Sequence, residues 1–301
     1  MTENHVRPIV LAAGCLLLAA CASGAGTTEA PTTPAPRPGQ PEAPAPPPGG
    51  RGPAVSFKPV QGAAYRVERH DSLTLQYEGG ASQDQVRDRT AVVRLSLAPG
   101  AAAGSYRVNI VLDSLDALEN GVPVPIDSAA AARGTQWTGT LTAEGELRDL
   151  KANRQSLLGD ELASTLRLLL PRIPQGGVRE GMAWSDTTQY DLVADAFAGT
   201  ESAVLAYRAS DSEVDGRDAI ALESEGSYTR SGTRQQGEQE LQMTASGTRK
   251  ASHRIALEGM VLAASGSEAG EMTISVPALG QTVPVKQSSS YSITAATSGA
   301  R

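Results

Sequence analysis

The sequence predicts a mainly β protein in which antiparallel sheets form an open or partly closed barrel or sandwich, in two halves around one central amphipathic α-helix. Apolar and polar residues alternate with period two through most of the chain after residue 54, for example over residues 106–112. Turn sequences that contain glycine separate these segments. Such alternation indicates strands that bury one face and leave the other in water. A single leucine-rich segment with three-to-four spacing predicts the helix.

The expected strands fall on both sides of this helix. Before it they cover residues 65–68, 73–77, 93–97 and 106–112. After Pro174 they cover 184–192, 202–207, 219–228, 239–257 as a long pair, 260–264, 272–276 and 283–293. Asn120-Gly121 and Asp215-Gly216 place glycine where a tight hairpin requires positive φ, and Gly145 does the same within 143–146. The strands are therefore expected to pair mostly as sequential hairpins.

The helix is expected over residues 155–170. Asp160 and Glu161 lie near its start, Arg167 lies near its end, and Pro171 stops it, as the helix dipole and the geometry of proline favour. One stripe of this helix is apolar and is formed by Leu158, Leu162, Leu166 and Leu169. We expect the stripe to lie against the sheet and to provide an apolar face for a ligand.

Composition excludes several classes of partner. The chain has 301 residues, a formal net charge of -7 and 4% aromatic residues. A nucleic-acid partner would require a clustered basic face, and charge alone would not hold an acidic protein on anionic lipid. With so few aromatic residues, a stacking platform for bases or sugars is not expected. Trp137 and Trp184 are interpreted as core residues.

The N-terminus carries an apolar run over residues 9–20, which is too short to span a bilayer as a helix and suits a secretory signal. It ends in Leu18-Ala19-Ala20-Cys21. These residues resemble the lipobox of bacterial lipoproteins. The resemblance implies cleavage between Ala20 and Cys21 and attachment of diacylglycerol to the Cys21 thiol, so the membrane is a partner through this anchor. Ala22 after the cysteine implies sorting to the outer membrane, facing the periplasm.

Two alternatives to this interpretation stay open. Ala12-Ala13-Gly14-Cys15 is a second candidate box, although little apolar sequence precedes it, and an uncleaved anchor is the other. Residues 1–20 are then a signal peptide and 21–54 a lipidated cysteine with a proline-rich tether, which cannot bury a core. Residues 55–301 form the β-rich domain, with halves at 55–150 and 182–301. Because Cys15 and Cys21 are the two cysteines, this domain has no thiol chemistry.

Two further resemblances concern the domain. Residues 170–174 and 178–184, a proline-ended leucine helix leading through glycine to Trp184, resemble a stretch found in uncharacterised β-rich envelope lipoproteins. The wider plan is similar to the unclosed barrel with a plugging helix of the lipoprotein carriers LolA and LolB. The second likeness concerns the fold alone and implies no activity.

Candidate catalytic and metal-binding patterns are incomplete. His70-Asp71-Ser72 contains the residue types of a catalytic triad, but neighbours on a strand point to opposite faces. The run 211–216 imitates the start of a calcium loop, yet Leu222 stands where a closing glutamate is needed. Three aspartates could supply an acid pair for glycoside chemistry, but are more simply solvent-facing charges: Asp186, Asp191 and Asp195. We expect no catalytic residue, no metal and no cofactor.

The leading hypothesis is a non-catalytic cell-envelope lipoprotein whose β scaffold binds an apolar or extended ligand, such as a lipid, or an envelope protein, beneath its helix. The first alternative is a structural or assembly lipoprotein whose helix completes a filled core. The second is a cryptic hydrolase. No nucleic-acid partner is expected under any of them.

Overall fold

The computed structural model of this chain describes residues 50–77, 80–194, 197–236 and 239–296. Within these ranges, most residues lie in β-strands, joined by two short α-helices and one 3₁₀ turn. The strands are β1 Arg51–Val55, β2 Val60–Gln76, β3 Ser82–Pro99, β4 Tyr106–Glu119, β5 Val122–Pro123, β6 Gln136–Leu141, β7 Leu147–Ala152, β8 Val178–Glu180, β9 Ala183–Ala194, β10 Phe197–Val214, β11 Arg217–Gln236, β12 Gln239–Ala256, β13 Val261–Val276 and β14 Gln281–Ala295. The helices are α1 Ile126–Ala132, α2 Leu157–Leu166 and the 3₁₀ turn Pro277–Leu279.

Twelve of the strands form one antiparallel sheet, in the order β7-β6-β4-β3-β2-β14-β13-β12-β11-β10-β9, with β5 paired to β4. β1 and β8 form a separate two-stranded sheet. Among the described residues, β7 and β9 do not pair with each other, so the large sheet stays open. The expected fold class is confirmed: the protein is mainly β, with a large antiparallel sheet and a minor helical part. The two halves are joined where β14 pairs with β2.

Several strands are longer than the sequence predicts. Residues 239–256 form one strand where a pair was expected, and 261–276 form one strand where two short ones were expected. Gly247 and Gly270 lie opposite each other inside β12 and β13. They do not mark turns. A Cβ at either position would lie 2.3 Å from a backbone carbonyl oxygen of the paired strand and at most 2.8 Å from the Tyr228 hydroxyl. Three turns were predicted correctly: Asn120-Gly121 and Asp215-Gly216 both adopt positive φ, and so does Gly145 between β6 and β7.

Helix α2 is shorter than the expected 155–170 and contains only Leu157–Leu166. At its start the Gly159 amide donates to the Ser156 hydroxyl at 3.1 Å, which is an ordinary N-cap. At its end the backbone tightens into three-residue turns, with the Leu168 amide donating to the Thr165 carbonyl. Pro171, which cannot continue a helix, follows this turn. The alanine-rich helix α1 was not predicted from the sequence.

The inward side chains of the sheet form three layers. On β2 they are Tyr65 and Val67, then Arg69 and Asp71, then Leu73 and Leu75. The first pair belongs to the larger apolar cluster, which includes the leucines of α2. The last pair belongs to a second apolar cluster on β2 and β12–β14. The polar layer between them, here called the polar belt, consists of Arg69, Asp71, Arg87, Arg89, Glu161, Glu201, Arg230, Arg249 and Glu268.

Candidate functional site

The apolar stripe predicted from the sequence lies inside the larger apolar cluster. All four members are buried, with exposed fractions of 5, 4, 0 and 0% for Leu158, Leu162, Leu166 and Leu169 respectively. They share this cluster with Trp137, which is fully buried, and with inward side chains from both halves of the sheet. The structure therefore brings the four leucines together, and α2 occupies the space in which a ligand was expected.

Beside the leucine stripe, α2 carries a buried charge. Glu161 lies between two guanidiniums of β3, with carboxylate oxygens 3.4 Å from Nη1 of Arg87 and 3.0 Å from Nε of Arg89. All three side chains are at most 6% exposed. Residues 87 and 89 share the inward face because side chains alternate along a strand. We call this group, Arg87, Arg89 and Glu161, the helix latch. Arg89 also donates to the Leu118 carbonyl at 2.8 Å.

Arg69 adds a second polar connection between the sheet and α2. Its Nε donates to the Asp71 carboxylate at 2.8 Å, while Nη1 donates to the hydroxyls of Ser164 and Thr165 at 3.2 and 3.0 Å. Burial would lower the pKa of Arg69, but the neighbouring Asp71 carboxylate holds this pKa above its ordinary value. The guanidinium stays charged and ties the later part of α2 to β2.

Four further charges lie on β10–β13, and we call them the wall network: Glu201, Arg230, Arg249 and Glu268. Arg249 lies 2.9 Å from Glu201 and 2.8 Å from Glu268. Arg230 contacts the same two carboxylates, at 2.9 Å for Glu268. Burial disfavours the charged form of Glu268, but Arg230 and Arg249 hold its pKa below the usual range. Two guanidiniums and two carboxylates balance one another, so no unpaired charge is left for a ligand.

Tyr228 supports the wall network from the neighbouring position of β11. The centroid of its ring is 4.6 Å from Cζ of Arg230 and 5.3 Å from Cζ of Arg249, which is cation–π distance. Its hydroxyl accepts a hydrogen bond from the Gln287 amide at 2.7 Å. A Cβ at Gly247 would be 2.8 Å from that hydroxyl and only 2.3 Å from the Ala269 carbonyl. Glycine is thus required where the ring crosses β12.

His253 joins the sheet to the segment after α2. Its Nε2 lies 2.8 Å from the Leu168 carbonyl oxygen, so the neutral ring donates from Nε2. Nδ1 is buried and has no hydrogen-bond partner among the described residues. Burial lowers the pKa of His253 to about 4. The imidazole is therefore neutral at pH 7, and a proton on Nδ1 would have no acceptor.

Residues 167–173, here called the strap, connect the two open edges of the large sheet. Next to β7, the Ile173 amide donates to the Glu144 carbonyl at 2.8 Å, and Nη1 of Arg167 donates to the Leu147 carbonyl at 3.3 Å. At the other edge, Nε of Arg172 lies 2.6 Å from the Asp186 carboxylate on β9. The strap therefore lies where the sheet fails to close by strand pairing.

A depression of about 1330 Å³ runs along β9–β14. Its lining includes Trp184, which stacks on Tyr207 at 5.0 Å between ring centroids. The lining also includes Glu225 and Lys250, whose side chains are 72 and 71% exposed. This space is therefore open and partly charged. It borders the apolar interior, because Tyr207 belongs to the cluster that contains the leucine stripe and Trp184 packs against that cluster.

The other residues singled out from the sequence do not converge. His70 faces outward and lies 2.7 Å from Asp88, whereas Asp71 is buried on the inward face. The prediction that neighbouring strand residues diverge is confirmed at this pair. Asp186 binds Arg172. Asp191 lies on β9 without a described side chain, and Asp195, Ala22, the lipobox Leu18, Ala19, Ala20 and Cys21, and the second box at Cys15 lie outside the described residues.

The described ranges contain neither a candidate metal cluster nor a candidate membrane-spanning helix. No group of three or more His, Cys, Asp or Glu side chains there could hold a metal ion. No helix in this part of the chain has the length and apolar character needed to cross a bilayer.

Sequence reasoning missed the polar belt, although a signal was present. Arg87 and Arg89 are spaced by two residues from each other and from the apolar residues Ala91, Val93 and Leu95. This alternation predicts that all five side chains point inward. The sequence did not identify the partner of each charge. Glu161 on α2 and Glu268 on β13 contact arginines that are distant along the chain.

Comparisons with known proteins do not assign a family. No protein-family model matches this chain, and no curated protein matches it. A solved structure that matches is DynF from the dynemicin biosynthesis pathway of Micromonospora chersina, which is 12% identical. The match covers 87% of this chain and 92% of that chain, with a TM-score of 0.23. A likeness at this level supports no statement about the function of the chain.

Proposed function

We propose that this chain is a non-catalytic cell-envelope lipoprotein that holds an apolar or extended ligand, of the acyl-chain class, in the interior that α2 now occupies. In this proposal Cys21 carries the lipid, the proline-rich segment between Cys21 and β1 is the tether, and the β scaffold faces the periplasm from the outer membrane. The observation that carries the binding role is that two kinds of buried contact hold α2. Its leucines fill the apolar cluster, and Glu161, beside the leucine stripe, is held by the helix latch.

The buried ion pairs of the helix latch favour an α2 that can leave the apolar cluster over an α2 that is a permanent part of the core. Replacing a buried ion pair by apolar residues of similar volume is often neutral or stabilises a fold by about 1–4 kcal/mol. A helix needed only to complete a core would therefore gain nothing from Glu161. Buried charges instead fix one position of a structural element and allow a second, distinct position. When α2 moves away, the walls around Leu162 and Leu166 become a lining suited to acyl chains.

The filled-core alternative is also favoured by a specific observation. Leu166 and Leu169 are fully buried in the larger apolar cluster, so α2 already packs as part of the core. In that case α2 is a permanent part of the core, and the protein acts by docking another envelope component. The two proposals differ in one property, which is whether α2 exchanges with an apolar molecule.

Titration of the full chain with the apolar fluorophore N-phenyl-1-naphthylamine separates them. We expect saturable binding with one probe per chain, competed by a fatty acid, and an affinity roughly tenfold higher for Glu161→Gln, because the variant raises the population of the open state. Glu201→Gln is the matched control, since it also removes a buried carboxylate but does not contact α2. Absence of saturable binding in all three proteins would establish the filled-core alternative.

The lipid anchor is tested separately. Cells that express the full chain are grown with an alkynyl palmitate analogue, and the labelled protein is compared among the parent, Cys21→Ser and Cys15→Ser. Acylation at Cys21 predicts loss of label in the first variant only. Equal labelling of Cys21→Ser and the parent would refute the proposed anchor. Membrane fractionation of the parent then reports whether the protein resides in the outer membrane.

A further inference from the structure

The strap is bound unequally to the two edges of the sheet. Next to β7 it is fixed by the Ile173 amide, by the Arg167 guanidinium and by a close approach of the Pro171 carbonyl to Gly145. A Cβ at Gly145 would lie 2.3 Å from that carbonyl oxygen, so backbone meets backbone there. Contacts of this kind, between buried main-chain groups, are costly to break.

At β9 the strap is held by a weaker contact. The Arg172–Asp186 ion pair is short, at 2.6 Å, but the two side chains are 29 and 24% exposed. Nε of Arg172 has no hydrogen-bond partner among the described residues, so this contact is an ion pair without a directed hydrogen bond. Of the two edges, β9 therefore holds the strap less tightly than β7 does. At the end next to α2, the Leu168 carbonyl of the strap is also held by His253 of β12.

From this asymmetry we propose that the Arg172–Asp186 pair is the clasp of a gate at the β9 edge of the strap, through which an apolar ligand reaches the interior. The inference rests on the proposed binding function and adds the route to that site. Opening the clasp frees the strap next to the stacked rings of Trp184 and Tyr207, which line the way with apolar surface. The strap follows α2 directly in the chain, so this route leads to the interior beside the helix.

A gate changes rates and leaves the binding equilibrium alone. We expect Arg172→Gln and Asp186→Asn each to raise the association and dissociation rates of N-phenyl-1-naphthylamine by the same factor, roughly two- to fivefold, with Kd unchanged. Stopped-flow fluorescence on the full chain measures both rates. The double variant Arg172→Asp with Asp186→Arg restores the ion pair in reverse and should return both rates toward the parent values.

Arg94→Gln is the matched control, because Arg94 forms an ion pair with Asp113 on β3 and β4, away from the strap. It should leave both rates unchanged. If the probe binds but neither clasp variant alters its rates, the gate is refuted while the binding function stands. If only the dissociation rate changes, the pair stabilises the bound state and is not a gate. If no variant binds the probe, the proposed binding function itself fails, and the gate fails with it.

Discussion

The helix latch and the wall network are both buried ionic groups in one polar belt, but they connect different kinds of structure. The wall network joins neighbouring strands, and register alone places Glu201 opposite Arg230 and Arg249 opposite Glu268. The latch joins a ten-residue helix to β3 through Glu161, whose carboxylate contacts both guanidiniums, while Arg89 also contacts Glu119 at 3.3 Å. Strand pairing holds the first group together even when one charge is lost. The second group has only helix packing as a substitute, so the same chemistry gives rigidity in one place and a separable contact in the other.

The largest expected effect comes from removing the one carboxylate of the latch. Glu161→Ala leaves Arg87 buried without this carboxylate, whereas Arg89 keeps Glu119 at 3.3 Å, and an uncompensated buried charge costs about 3–5 kcal/mol in the free energy of unfolding. Alanine is a better helix former than glutamate, so helix propensity cannot explain a loss. Urea denaturation measures the total change in the free energy of unfolding. Hydrogen exchange should show faster exchange of amides 157–166 with little change in β10–β13.

The control for this variant is Glu223→Ala. Glu223 also binds an arginine, Arg254, at 2.8 Å, but its side chain is 53% exposed. Its removal should have little effect on stability, because an exposed pair contributes at most about 1 kcal/mol. Uniformly faster exchange in β11 and β12 of Glu161→Ala would contradict the idea that the latch is a local contact.

His253 provides the next effect, since it holds the segment after α2 through the Leu168 carbonyl. The pKa of His253 is lowered to about 4 by burial, so between pH 6.5 and 4 the unfolded chain binds a proton that the folded chain does not. Stability therefore falls as the pH falls through this window and is fully present above it. Between pH 7 and pH 5 the expected loss in the free energy of unfolding is about 2 kcal/mol.

Urea denaturation of the parent and His253→Gln at pH 7 and pH 5 tests this assignment. Glutamine can still donate to the Leu168 carbonyl but does not titrate, so the variant should lose the pH dependence in this range. His70→Gln is the control, because His70 is half exposed on the outer face beside Asp88. An unchanged pH dependence in His253→Gln would show that another group is responsible.

A smaller loss is expected within the wall network. Glu201→Gln keeps a carbonyl oxygen beside Arg249, and Glu268 still binds both guanidiniums, so the expected cost is about 1–2 kcal/mol. The measurement is again the urea midpoint, with hydrogen exchange in β10–β13. A loss as large as that of Glu161→Ala would remove the contrast between the two groups, because it would mean that register does not compensate for a missing charge.

The sequence predicted the parts of this arrangement that depend on local pattern. Alternation identified strands around Val93 and Val108, and Asp215-Gly216 identified a hairpin, since both signals are contained within a few residues. The stripe of leucines identified α2, although not its length. Glu161 was interpreted only as an acidic residue near a helix start, a position that the helix dipole favours. Its true partners are more than 70 residues away, on β3.

The lengths of β12 and β13 were missed for a related reason. Glycine inside an alternating segment usually indicates a break, and Gly247 and Gly270 were consistent with one. Here the glycines make room for Tyr228, a residue on another strand. Only the register of the paired strands shows that the Tyr228 side chain lies against both glycines. Long-range pairing therefore determined both the belt and the strand lengths, and local pattern determined neither.

The smallest expected effect tests whether the distance between two charges or their burial determines how much an ion pair stabilises this fold. Arg94 and Asp113 make three contacts of 2.7 to 3.0 Å on the outer face, a closer fit than the 3.4 Å between Arg87 and Glu161. If distance governed the effect, Arg94→Ala would be the more damaging change. The Arg94 side chain is 55% exposed, however, and water solvates either partner once the other is removed. We expect the urea midpoint of Arg94→Ala to match that of the parent within the scatter of repeat measurements. A clear shift toward lower urea would mean that exposed pairs also support this sheet, and burial would then no longer explain why the latch is the sensitive contact.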